Sequence, residues 1–147
     1  MKILLIRFSS LGDIVLTTPV PRLLRKKFPK SEIHFITKAE YSDIYTNNNN
    51  VNKIIHLQKN LKKTINILRS EKYDLVIDLH NNIRSNFIMF SLAVKNYTYD
   101  KQSFRRWLLT NFKIYSKLKH ISESYVDTLK TLGIRDDNNG LDFYLHE

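Results

Sequence analysis

The run Tyr73-Asp74-Leu75-Val76-Ile77-Asp78-Leu79 constrains the fold of this chain more than any other stretch. It is too short for a helix of ordinary length, and its apolar residues are too continuous for a strand with one wet face. Such a strand needs protein on both sides, the situation of a parallel sheet flanked by helices. Lys2 to Phe8 has the same character and ends in Ser9-Ser10-Leu11-Gly12, a strand followed by a tight loop. Glu32 to Thr37 alternates and is β-branched, and Lys53 to Leu57 forms a further short run. Strands are therefore expected near residues 2–8, 32–37, 53–57 and 73–79.

The segments between them have helical spacing. From Asp13 to about Phe28 the apolar residues Ile14, Val15, Leu16, Val20, Leu23, Leu24 and Phe28 recur at that spacing, and Arg25, Lys26 and Lys27 load the last turn favourably for the helix dipole. Pro19 and Pro21 predict a kink or a late start within it. A short helix around Ala39 to Tyr45, a surface turn over Asn47–Asn50, a basic amphipathic helix from Asn60 to Lys72 and a helix from Ile83 to Val94 follow. Beyond a short strand near Tyr97, the sequence predicts a basic aromatic helix over 103–117 and a last helix over 122–132 stopped by Gly133. Residues 141–145 read as one more strand or a linker. Alternation of strands and helices, without hairpin dipeptides, predicts an α/β fold: a Rossmann-like, doubly wound parallel sheet in one domain covering residues 1–147.

Composition narrows the chemistry. The chain has no cysteine, which excludes disulfides, thiolate metal sites and thiol nucleophiles. Its longest late apolar stretch, Phe87 to Val94, is far too short to span a bilayer, and the opening Ile3 to Ile6 is too short for the core of a signal peptide. We expect a cytoplasmic protein. The net charge of +10 is uneven: residues 1–30 carry +6, 53–72 carry +5, 95–120 carry +6, and 121–147 carry −4. An anionic partner is implied, whether nucleic acid, an acidic membrane surface or a phosphorylated substrate. The stretch Phe104-Arg105-Arg106-Trp107 suits either a lipid-facing surface or a core helix with solvated arginines.

In an open parallel sheet, ligands bind beyond the carboxyl ends of the strands, near the point where strand order reverses. Two loops qualify, Ser9 to Asp13 and His80 to Ser85, and they lie side by side if the first and fourth strands are neighbours. The first has neither the glycine pattern of a dinucleotide site nor a Gly-Lys-Ser/Thr phosphate loop. It offers instead a carboxylate, Asp13, at a helix entrance, where it serves as a proton acceptor or simply as a helix cap. The second offers His80, Asn81, Asn82, Arg84 and Ser85, a mixture suited to bonding hydroxyls and neutralising phosphate, or to an ordinary polar turn. No His, Asp and Glu spacing suggests a metal.

The segment Arg7-Phe8-Ser9-Ser10-Leu11-Gly12-Asp13-Ile14-Val15-Leu16-Thr17-Thr18-Pro19 resembles the start of the heptosyltransferases that build bacterial lipopolysaccharide. Tyr73 to His80, continuing through Asn81, Asn82, Ile83, Arg84 and Ser85, is similar to that family's second signature, and His120 to Ile134 to the last helix of its first domain. The resemblance implies the GT-B architecture of two facing Rossmann-like domains, with this chain as the amino-terminal, acceptor-side half and the carboxyl-terminal nucleotide-sugar domain absent. It implies inverting transfer with no metal or other cofactor, a nucleotide-sugar cosubstrate such as ADP-heptose bound mainly through the missing domain, and a phosphorylated lipopolysaccharide core acceptor. Asp13 is then the base that takes the acceptor hydroxyl's proton, and Ser10, Gly12, Thr17, His80, Asn81 and Arg84 shape the acceptor site. Peripheral contact with the cytoplasmic face of the inner membrane also follows, with Lys62, Lys63, Arg84, Arg105 and Arg106 drawing the chain to anionic groups. Nucleic acid is not expected as a partner, since recognition helices, RNA-binding motifs and zinc spacings are missing. A noncatalytic phosphate-ligand or interaction domain of the same fold, or a basic nucleic-acid-binding module, is the alternative.

Overall fold

The computed structural model of the protein describes residues 1–101 and 114–143, with the backbone alone over 114–120. Its centre is a sheet of five parallel strands: β1 (Lys2–Ile6), β2 (Glu32–Thr37), β3 (Lys53–His56), β4 (Leu75–Asp78) and β5 (Lys95–Thr98), in the order β3-β2-β1-β4-β5. The expected α/β class and parallel sheet are both present. Side chains alternate across the sheet, so β1 sends Ile3 and Leu5 to one face and Leu4 and Ile6 to the other. Both faces are buried, which explains why β1 and β4 read as unbroken apolar runs.

The first face is covered by α1 (Leu11–Leu16), α2 (Pro19–Lys27) and α6 (Ile114–Asp127), which bring Ile14, Val20, Leu24 and Val126 against Ile3, Leu5 and Ile77. The second face is covered by α4 (Leu61–Glu71) and α5 (Ile83–Leu92), which bring Ile65, Leu68, Ile88 and Met89 against Leu4, Ile6 and Val76. A short 3-10 turn over Ala39–Tyr41 and α3 (Asp43–Thr46) join β2 to β3. Among the described residues, no helix is long and apolar enough to cross a membrane.

Three expectations change. The helix foreseen from Asp13 to Phe28 is two helices. Pro19 is the first residue of α2, where its missing N–H costs nothing, and α1 ends at Leu16. The last helix does not begin at residue 122 but runs unbroken through Ile114–Asp127, and the 3-10 turn Lys130–Leu132 then leads to Gly133 at φ 72°. Left-handed backbone of this kind suits a glycine, so the stop was located correctly although the start was not. Of the two readings of residues 141–145, strand or linker, the strand is not seen over the described residues 141–143, which are not in the sheet. They are strapped to α2 instead, since Asp142 donates its N–H to Thr18 Oγ1 at 3.0 Å and Arg22 pairs with both Asp137 and Asp142. The helix foreseen over 103–117, with Phe104 to Trp107, lies mostly outside the described residues.

Candidate active site

β1 and β4 are hydrogen-bonded neighbours with Ile6 opposite Asp78, so the two loops foreseen as functional leave the sheet side by side. This is the carboxyl edge of the sheet, on either side of its first strand, where a parallel α/β sheet opens a crevice. Ser10 caps α1 and Asp13 is the helix's third residue rather than its opening one. The Ser10 N–H and hydroxyl donate to Asp13 Oδ2 at 3.3 and 2.8 Å, and Arg7 Nη2 reaches the same oxygen at 3.0 Å. The carboxylate remains 38% exposed, so a solvent-borne hydroxyl can meet it. Burial alone would raise its pKa, but the Arg7 guanidinium and the Ser10 hydrogen bonds outweigh that and hold it below the ordinary carboxylate range. Asp13 is thus kept ionised, ready to accept a proton, at some expense of intrinsic basicity.

Arg7 is the residue that sequence reading passed over. It is buried at the end of an apolar strand, where an arginine is rare unless paired. Its Nε donates to the Ser9 carbonyl at 2.7 Å, Nη1 to the Leu79 carbonyl at 2.9 Å, and Nη2 faces Asp13. The guanidinium lies 5.6 Å from the centre of the Tyr125 ring on α6. One cation therefore ties together the exits of β1 and β4, the start of α1 and the last turn of α6. The signal was present in the sequence: a charged residue closing an otherwise apolar run.

His80 stacks obliquely on Phe8, with ring centres 5.0 Å apart, and its Nδ1 is buried without a hydrogen-bond partner among the described residues. Burial first, then the charges of Arg7 and Lys101, lower its pKa to about 4, so the ring is neutral at physiological pH. Lys38, at the exit of β2, adds to the same effect. Three cations thus act on one side chain, a field that suits an anionic ligand and that was not foreseen for Lys38 or Lys101.

The remaining expected residues divide. Gly12 is exposed, and a side chain added there would meet nothing within 4 Å, which leaves open space beside Asp13. Arg84, near the start of α5, is exposed and makes no hydrogen bond or ion pair among the described residues, so its charge is available. Asn81 works inward. Its backbone is left-handed at φ 51°, its N–H donates to Asp78 Oδ1 at 3.0 Å, and its Nδ2 donates to the Tyr99 carbonyl at 2.9 Å. Thr17 is fully buried, with its hydroxyl donating to the Ile14 carbonyl at 2.6 Å and paired with the Tyr45 hydroxyl at 2.8 Å. A group enclosed in this way cannot touch an acceptor, and Thr17 instead fixes the end of α1 against α3. Ser10, Gly12, Asp13 and His80 are thus gathered at one mouth, backed by Arg7.

Glu32, His34 and Glu71 bring ligand-type atoms within 4.8 Å of one another, but at the opposite, amino-terminal edge of the sheet. Lys2 Nζ bonds Glu71 at 2.9 Å, Lys53 pairs with the same carboxylate, and both His34 nitrogens face hydroxyl or carboxylate partners. The place of a cation is already taken there. A cleft of about 780 Å³ lined by Val126, Asp127, Lys130, Ile134 and Arg135, among others, includes none of the candidate residues.

Over 118 residues, 76% of its length, the chain is 30% identical to lipopolysaccharide heptosyltransferase 1 of Campylobacter coli. It is a sequence relative of the lipopolysaccharide heptosyltransferases. A second relative, lipopolysaccharide heptosyltransferase 3 of Escherichia coli, is 30% identical over 78 residues, 46% of the chain. The fold agrees: a family 9 glycosyl transferase from Veillonella parvula superposes on 99% of the chain with a TM-score of 0.78 at 23% identity. These matches span 34% of the Campylobacter protein, 23% of the Escherichia protein and 46% of the Veillonella chain, so this sequence corresponds to less than half of each. No family model matches the chain.

Proposed function

We propose that this chain is the acceptor-side half of an inverting glycosyltransferase that moves a heptose from a nucleotide donor to the lipopolysaccharide core. The observation that carries the reading is the ionised Asp13 carboxylate, oriented by Arg7 and Ser10 at an open mouth beside His80. In a single displacement the acceptor hydroxyl oxygen bonds to the anomeric carbon as the bond to the nucleoside diphosphate breaks. The hydroxyl proton passes to Asp13, and configuration inverts. One placed base suffices, because no glycosyl-enzyme intermediate forms to require a second carboxylate. Neutral His80 would bond acceptor hydroxyls, and Arg84 and Lys38 would face its phosphates.

The donor falls to a second Rossmann-like domain beyond these 147 residues, and ADP-heptose is the donor we assign. A related heptosyltransferase of Escherichia coli, alike in fold at a TM-score of 0.67, was solved with ADP. The reaction belongs to the cytoplasm, against the inner face of the inner membrane. The test is transfer by the two-domain protein from ADP-heptose to a core acceptor, followed by the anomeric configuration of the product. Transfer with inversion is expected, while the 147-residue chain alone should bind donor weakly and not turn over. Retention of configuration, or tight donor binding by the chain alone, would overturn the assignment.

A further inference from the structure

Helix α5 is apolar on two opposite sides. Ser85, Ile88 and Met89 pack inward against the sheet. On the other side Ile83, Phe87 and Phe90, spaced i, i+4 and i+7, form a continuous stripe, exposed by 88, 55 and 85%. The neighbouring α4 is joined to α5 by Arg69, which donates to the Ser91 carbonyl at 3.1 Å. An apolar stripe on the outward side of a helix already packed on its inner side is normally covered, and among the described residues nothing covers this one.

The charges beside the stripe have one sign. α5 carries Arg84 and no carboxylate, and α4 carries exposed Lys62 and Lys63 together with Arg69. The one carboxylate of α4, Glu71, is taken by Lys2 and Lys53. Large apolar side chains flanked by cations match an interfacial surface, where rings enter the acyl boundary and cations meet anionic headgroups. A nucleic-acid partner would use the cations but leave two phenyl rings and an isoleucine in water. The stripe also begins at Ile83, immediately after the His80–Asn82 loop, so a bilayer on α5 would lie beside the mouth that holds Asp13.

We infer that Ile83, Phe87 and Phe90 of α5, with Arg84 and the α4 lysines Lys62 and Lys63, form a docking surface for an anionic lipid bilayer. The apolar stripe is separate from the candidate active site, whereas Arg84 is shared with its acceptor side, and the use of the surface there rests on the transferase reading. Co-sedimentation of the full chain with phosphatidylglycerol–phosphatidylethanolamine vesicles, and with phosphatidylcholine vesicles alone, is the direct test. The chain should sediment with the anionic vesicles. Phe87→Ser/Phe90→Ser should weaken that binding by about tenfold or more, and Arg84→Gln by about fivefold. Phe87→Leu/Phe90→Leu, which stays apolar, should retain it. Melting curves should be nearly unchanged, since all three side chains replaced are exposed. Failure to bind anionic vesicles, or equal binding by the serine variant, overturns the proposal. So does a concentration-dependent dimer that the serine variant abolishes while vesicle binding persists, because a second copy would then cover the stripe. Transfer by the two-domain protein to a lipid-free soluble acceptor should be untouched by the serine variant, which separates failure of docking from failure of the transferase reading.

Discussion

Two aspartates stand at the exits of neighbouring strands and have opposite fates. Asp78 ends β4 and is wholly buried, with Ser85 Oγ donating to it at 2.6 Å and the N–H groups of His80 and Asn81 at 2.8 and 3.0 Å. Burial dominates those hydrogen bonds and raises its pKa. Asp13 lies one loop beyond β1, half-open to solvent, with an arginine against it and a lowered pKa. The same functional group thus serves in one place to hold a loop and in the other stays open to solvent. What separates them is access and a cation, neither of which residue type reveals. Asp78 nonetheless matters to the site, since it folds the His80–Ser85 loop into the shape that presents His80 and starts α5.

The sharpest way to break this comparison is to exchange each carboxylate in turn. In the two-domain transferase proposed above, Asp13→Asn should lower turnover by on the order of 10²-fold or more. The melting temperature should move little, because asparagine keeps the size and much of the local hydrogen bonding. Near-native turnover would remove Asp13 as the base. Asp78→Ala should act first on stability. It strands one hydroxyl and two backbone N–H donors in the interior, at a cost of about 2–3 kcal/mol in a denaturant melt. A variant as stable as the parent would show that Asp78 does not organise the second loop.

The smallest effect isolates the cation. Arg7→Met removes the charge that offsets the burial of Asp13, so the Asp13 pKa should rise and the acid limb of the pH–rate profile should move to higher pH. The stability arising from the Arg7–Asp13 pair follows the same sign. It is present above the ordinary carboxylate value of 3.8 and is lost as pH falls through the lowered native value, so the parent keeps it at neutral pH. An acid limb that stays in place in a folded Arg7→Met protein would mean that Ser10 alone sets the state of Asp13.

Much of this was legible before any coordinates. Lys2 to Phe8 and Tyr73 to Leu79 could only be buried parallel strands, and a parallel sheet dictates which ends of those strands carry ligands. Both loops followed from that geometry, whereas the site roles expected of Asp13 and His80 came with the family resemblance. The prolines at 19 and 21 announced the break between α1 and α2 without saying that α1 would be a single short turn or two.

The sequence by itself determined the order of strands and helices, the two loops and the resemblance to the heptosyltransferases, because apolar period, turn residues and motif are local properties read along the chain. Only the tertiary structure decided what the polar residues do. Arg7 bonds a carbonyl 72 positions away, Asn81 turns in to Tyr99, Thr17 closes on Tyr45, and Phe87 and Phe90 stay outside on a helix whose composition promised burial. A hydrogen bond or an exposed face depends on which distant segment arrives beside it, and that is settled when the strands pair and the helices cover the sheet.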